Sequence, residues 1–202
     1  IDEVSDVLVD IRTRIERRGI QVVDKEVVHN LFEEKTGIPM GQVGADERDI
    51  LLHLEEKLHE RIIGQDVAIR AIADAMRRAR SGISDPKRPL GSFLFMGPTG
   101  VGKTETTKAL AANFFKSEDR ILRLDMSEYK TEDALDRLIG SFEDDKPGIL
   151  TSMLRENPYG VLLLDEFEKT HKNVLDLFLQ IIDEGVFSDM RGKKVNARNL
   201  II

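Results

Sequence analysis

Two short stretches hold residues whose types and spacing suit phosphate chemistry. Gly97-Pro98-Thr99-Gly100-Val101-Gly102-Lys103-Thr104 satisfies every fixed position of G-x-x-x-x-G-K-[ST]. Its glycines let the backbone wrap an anion without a Cβ clash, so that successive N–H groups point inward. A helix opening directly after the loop adds its N-terminal dipole to the same anion. Pro98, Thr99, Gly100, Val101, Gly102, Lys103 and Thr104 are therefore candidate nucleotide-binding residues. Lys103 has the reach for the β and γ phosphates, and the Thr104 hydroxyl can take a magnesium position. The second stretch, Val161-Leu162-Leu163-Leu164-Asp165-Glu166, is an apolar strand that ends in two acids. Open parallel sheets bind ligands at their carboxyl ends, where Asp165 can hold magnesium and Glu166 can act as general base on the attacking water. Two acids ending a strand are commonly plain surface charge, and the phosphate loop upstream is what makes these informative. Lys103 and Glu166 are the candidate catalytic residues. Two acids of different role favour hydrolysis over phosphoryl transfer to a metabolite. No Asn-Lys-x-Asp stretch reads guanine, so ATP is the expected nucleotide, with Mg2+.

The elements that must position these residues follow from periodicity. From Ser92 onward the chain reads as alternating strands and helices: strands at Ser92 to Met96, Ile121 to Met126 and Val161 to Leu164. Helices are expected at Lys103 to Phe115, Thr131 to Ile139 and Leu150 to Glu156, with another capped by Thr170 and ending before Gly185. A small hairpin is expected from Phe187 to Val195. That alternation predicts an α/β fold with a parallel sheet flanked by helices on both faces. Before it, helices are expected at Glu47 to Arg61 and Asp66 to Arg80, around a turn at Ile62-Ile63-Gly64-Gln65. The basic run Arg77-Arg78-Ala79-Arg80 reads as a solvated last helical turn that suits the helix dipole. Val4, Val7, Leu8, Ile11 and Ile15 form one helical stripe, and a second helix starts at Asp24. The Gly-rich stretch from Gly37 to Gly44 is the expected boundary, giving a helical extension over 1–44 and a nucleotide-binding domain over 45–202.

Composition excludes several classes. The 202 residues carry 30 basic and 37 acidic side chains, a formal charge of -7, which argues against a nucleic-acid binder working through a broad basic surface. There is no cysteine, so neither a disulfide nor a thiolate zinc site is available. His53 and His59 are spaced off a common helical face, which disfavours a histidine metal site. No apolar run approaches the ~20 residues of a membrane helix. The chain starts at Ile1 and stops inside the apolar run Leu200-Ile201-Ile202, and it reads as a piece of something larger.

The wording of the motifs resembles a known family. Gly91 to Glu105 looks like the phosphate loop of the second ATPase module in Clp-type AAA+ protein unfoldases. Four further stretches agree in order: Arg61-Ile62-Ile63-Gly64-Gln65-Asp66, Leu124-Asp125-Met126-Ser127-Glu128-Tyr129, Leu164-Asp165-Glu166-Phe167-Glu168-Lys169 and Leu179-Gln180-Ile181-Ile182-Asp183-Glu184-Gly185. Thr36-Gly37-Ile38-Pro39 resembles the segment that joins the family's two modules. The resemblance implies an AAA+ P-loop NTPase core, a cytoplasmic homo-hexameric ring, and ATP hydrolysis that threads unfolded or tagged proteins through a pore. It places Ile62 and Ile63 against adenine, although two apolar residues anchoring a helix start explain the turn equally well. It covers both unfoldases that serve a Clp-type peptidase and free-standing disaggregases, and implies no nucleic-acid or membrane partner.

Two departures limit the transfer. Ser141-Phe142-Glu143-Asp144-Asp145-Lys146-Pro147-Gly148 stands where the family has an aromatic pore loop with a tyrosine. Either the loop is shorter or its middle is missing from the sequence, and the family-like flanks favour the second, with Phe142 a weak candidate for the gripping residue. The sequence also stops before the family's polar sensor, arginine finger and helical lid. A fragment so bounded is expected to bind nucleotide and to hydrolyse it poorly. Two other classes stay open: a nucleic-acid remodelling AAA+ ATPase, and a non-hydrolysing nucleotide-dependent scaffold.

Overall fold

A computed structural model describes residues 2–20, 22–36, 45–81, 85–141 and 146–202. The chain divides into two compact units, Ile1–Gly44 and Ala45–Ile202. The expected linker at 37–44 and the pore-loop candidate Phe142 lie outside the described residues.

The first unit contains α1 (Asp2–Arg17) and α2 (Lys25–Thr36). Ile11 and Leu31 are buried. The Asp24 carboxylate caps α2 by accepting from the Val27 amide at 2.8 Å, which satisfies one orphan N–H of the first turn.

The second unit opens with α3 (Ala45–Leu52), α4 (Leu54–His59) and α5 (Asp66–Arg80). Sequence periodicity predicts a single helix from Glu47 to Arg61. Instead His53 turns to φ -102, ψ 16 and separates α3 from α4. The hydrogen bonds from His53 to Asp49 and from Lys57 to His53 survive, so the break is one residue wide. Leu54, Leu58, Ile69, Ile72 and Met76 are fully buried where α4, α5 and α6 (Lys103–Phe114) pack together.

The sheet consists of β1 (Ile121–Asp125), β4 (Gly160–Asp165) and β7 (Leu200–Ile201), all parallel, in the order β1-β4-β7. Two hairpins complete the strands: β2 (Gly140–Ser141) with β3 (Lys146–Pro147), and β5 (Val186–Ser188) with β6 (Lys194–Asn196). The helices α7 (Ala134–Ile139), α8 (Ile149–Glu156) and α9 (Lys172–Glu184) bury one sheet face around Leu122, Leu124, Leu162, Leu200, Phe178 and Ile181. In β1 burial alternates: Leu122 and Leu124 point into this core while Arg123 and Asp125 are exposed. Helix α6 packs against β4 as well.

The helix expected from Thr131 begins at Ala134, and two further features differ from the sequence reading. Ser92 to Met96 forms no strand; a single parallel bridge, Gly91 to Ile201, precedes it, with hydrogen bonds from Ile202 to Gly91 and from Phe93 to Ile202. Among the described residues no strand pairs with it in a ladder. The cap of α9 is His171 rather than Thr170, because the Thr170 hydroxyl donates to the Tyr129 carbonyl at 3.0 Å instead.

The β5–β6 hairpin is fixed by a buried carboxylate. Asp189 accepts from the amides of Arg191 and Lys193 at 2.9 and 2.8 Å, and from the Arg155 guanidinium on α8 at 2.7 Å. Burial pushes its carboxyl up, but the Arg155 and backbone hydrogen bonds outweigh that and hold it below the usual range. Asp189→Ala should cost roughly 1–3 kcal/mol in urea unfolding, because two backbone donors and a guanidinium lose their acceptor. With its folded pKa depressed, the carboxylate stabilises above its unfolded value of about 3.9 and stops doing so as pH falls through the folded value. The difference from wild type should therefore be full near neutrality and shrink only in strong acid.

Candidate active site

The three strands β1, β4 and β7 run the same way, as does the bridge at Gly91, so their carboxyl ends meet at one edge of the sheet. Gly97 follows the segment that starts at Gly91. Asp125 ends β1 and stands in register with Asp165, which ends β4. The phosphate loop and the acidic pair are thus delivered to the same edge by backbone pairing alone.

The loop takes a shape that needs glycine. Gly100 and Gly102 adopt φ +87 and +99, a region that side chains rarely enter, and Gly102 is the residue from which α6 starts. Among the hydrogen bonds of the described residues, none is donated by the backbone amides of Gly100, Val101, Gly102, Lys103 or Thr104. These residues lead into and open a twelve-residue helix, the arrangement in which backbone amides can receive an anion with the helix dipole behind it. The Lys103 ammonium donates to the carbonyls of Gly97 and Pro98, both at 2.8 Å, and so lies against the loop it serves. Thr104 is exposed.

Each acid at the edge has a cation beside it. The Arg123 guanidinium donates to the Asp165 carboxylate at 2.7 Å. Glu166 sits in the left-handed region at φ 53, ψ 40, and its carboxylate accepts from the Lys169 ammonium. The bond to Glu166 holds the Lys169 ammonium above its ordinary pKa. Asp125 is held below the usual carboxylate range by its hydrogen bonds with Ser127. A left-handed conformation costs a non-glycine residue about 1–2 kcal/mol, and it directs Glu166 away from the course of β4.

Among the described residues no three His, Asp or Glu side chains converge on a metal site. Thr104 and Asp165 offer a hydroxyl and a single carboxylate, hard oxygen donors suited to magnesium. That ion keeps several waters and takes one or two carboxylates together with substrate phosphates, so the residues fit it.

A cleft of about 290 Å³ opens beside the loop, lined by Gln65, Ala68 and the stretches Leu94 to Pro98 and Val101 to Lys103, with Thr106. Neither Ile62 nor Ile63 lines it. Ile62 is buried at 4% exposure, and Ile63 stands in solvent at 99%. Gln65 is the residue of that turn which reaches the loop, donating from Nε2 to the Val101 carbonyl at 3.3 Å. Sequence reasoning missed Gln65, Ala68, Arg123 and Lys169. The only available signal was the alternation in β1, which sets Arg123 and Asp125 on the same side of the strand.

Residues 88–202 match the family described as AAA domain (Cdc48 subfamily). Among curated proteins, the chain is 50% identical over 186 residues to Chaperone protein ClpB of Staphylococcus aureus (strain COL), covering 90% of this chain and 21% of that protein. It is 48% identical over 184 residues to Chaperone protein ClpB of Bacteroides thetaiotaomicron, covering 89% and 21%. To that of Staphylococcus epidermidis it is 48% identical over 191 residues, covering 93% and 22%. The chain therefore spans about a fifth of the length of these relatives. The Clp-type resemblance carried by the motifs agrees with both findings.

Removing the loop's cation should weaken anion binding without disturbing the sheet. Lys103→Ala should lower affinity for inorganic triphosphate at least about tenfold, as read by calorimetry, with urea unfolding within about 0.5 kcal/mol of wild type.

Proposed function

Because this chain belongs to the AAA domain family (Cdc48 subfamily), we propose that it is the ATP-binding and ATP-hydrolysing module of a ring-forming protein chaperone. The observation that carries the reading is the run of loop amides that opens α6, with Lys103, at the same sheet edge as Asp165 and Glu166. These amides and the α6 dipole hold the phosphates, and Lys103 exchanges its two carbonyl acceptors for β- and γ-phosphate oxygens. Thr104 and Asp165 would hold magnesium, which when bound neutralises charge on the β and γ phosphates. Glu166 accepts the proton of a water whose oxygen attacks the γ-phosphorus, while the bond from that phosphorus to the bridging oxygen breaks and ADP leaves. For this the Glu166 carboxylate has to part from Lys169, an exposed and therefore weak ion pair.

The wider reading follows the relatives, whose printed name is that of a chaperone. On this reading the whole protein forms a homo-hexamer and threads unfolded or tagged polypeptides using the energy of hydrolysis, alone or for a Clp-type peptidase. The formal charge of -7 favours protein over nucleic acid as the substrate, and among the described residues no helix is long and apolar enough to cross a membrane.

In the whole protein Glu166→Gln should keep ATP bound and lower phosphate release by about 10²–10⁴-fold, measured as single-turnover hydrolysis beside equilibrium binding. Normal hydrolysis by that variant would remove Glu166 from its role. Unfolded polypeptide should stimulate the wild-type ATPase more than DNA does. The opposite order would favour a nucleic-acid remodeller, and ring assembly on ATP with no phosphate release would favour a scaffold.

A further inference from the structure

Glu105 is the residue directly after Thr104, in the first turn of α6. A carboxylate there suits the helix dipole while the site holds no anion, but it opposes a triphosphate seated on the same amides. Its charge does not stand alone. The Arg61 guanidinium donates from Nε and Nη2 to one Glu105 oxygen at 3.0 and 2.6 Å, and from Nη1 to Glu118 at 2.8 Å. Glu118 belongs to the turn Glu118–Arg120 that follows α6, so one guanidinium joins the first turn of the helix to the turn that comes after it.

Arg61 also stands at the root of the turn that ends at Gln65, which lines the cleft. Its amide donates to the Leu58 carbonyl at 3.2 Å at the end of α4. Four residues later, Gln65 closes the turn by donating to the Val101 carbonyl. Between them His59 contacts the Ile62 carbonyl at 3.3 Å and Asp66 at 3.4 Å. The turn is thus tied to the phosphate loop at two points: Gln65 on Val101, and Arg61 on Glu105.

We propose that Arg61 is a positioning residue for nucleotide binding, cancelling the Glu105 charge beside the bound phosphates and tying the turn that ends at the cleft residue Gln65 to the phosphate-loop helix. This rests on the reading of the site as a nucleotide site. Its side chain is about one-third exposed, so the compensation is partly screened by salt. Two bonds to a single carboxylate oxygen, rather than a lone contact, keep the guanidinium on Glu105.

The test is a double-mutant cycle on ATP affinity in the whole protein, measured by equilibrium binding at low and high salt. Arg61→Ala should weaken ATP binding roughly tenfold at low salt, with a smaller loss at high salt. Glu105→Gln alone should bind ATP as tightly as wild type or tighter. The pair Arg61→Ala with Glu105→Gln should recover most of the loss, because the uncompensated carboxylate is gone. Arg61→Lys, which keeps the charge but not the fork, should fall between wild type and Arg61→Ala. A double variant as weak as Arg61→Ala, or a salt-independent loss, would reduce Arg61 to a structural clamp and overturn the proposal. Wild-type affinity in Arg61→Ala would overturn it as well. A wild type that binds no ATP would overturn the nucleotide reading itself, a different and recognisable failure.

Discussion

Parallel backbone pairing between β1, β4 and β7, continued by the single bridge to Gly91, is the constraint on which the site depends. In a parallel sheet every strand ends on the same edge, so the groups that follow each strand meet without further design. Asp125 and Asp165 are neighbours because their strands are in register, and Gly97 joins them because its segment runs alongside β7. A slip of one residue in β4 would turn Leu162 out of the core and point Asp165 to the other face. The core behind the sheet, with Phe178 and Ile181 of α9 against Leu122, Leu124 and Leu162, holds that register.

Electrostatics at the edge is arranged as a set of exchangeable partners. Lys103 bonds its own loop, Arg123 bonds Asp165, Lys169 bonds Glu166, and Arg61 bonds Glu105. These pairs are partly or largely exposed, where an ion pair is weak and can be traded for another. A triphosphate with its counter-ion brings both signs of charge to the same place. The groups that receive it are therefore already ordered by weak bonds that a stronger partner can replace. Asp189 contrasts with them: it is buried, bonded on both oxygens and distant from this chemistry in role, and it serves the hairpin alone.

The shape of the loop was legible from sequence because it is local: Gly100 and Gly102 take positive φ within their own window, and α6 begins at Lys103. The acidic strand end was legible for the same reason. The cleft was not. Ile62 and Ile63 carried the expected base contact, yet Gln65 and Ala68 line the wall, since one apolar residue of the turn went into the core and the other into solvent. The extent of the third helix and the cap of α9 also escaped. His53 breaks a pattern that periodicity alone continues, and the Thr170 hydroxyl is taken by Tyr129, a residue from another element.

By itself, the sequence determined the glycine turn that opens α6 at Lys103, the two acids that end β4, the α/β alternation and the membership of a family whose motifs it spells out in order. These are properties of short windows, set by backbone conformation and side-chain type. Only the tertiary structure decided which cation faces which acid: Arg123 on Asp165, Lys169 on Glu166, and Arg61 on Glu105 and Glu118. Apart from the Lys169 pair within one turn, these contacts join separate elements. Their geometry follows from strand register and helix packing, and no spacing along the chain records it.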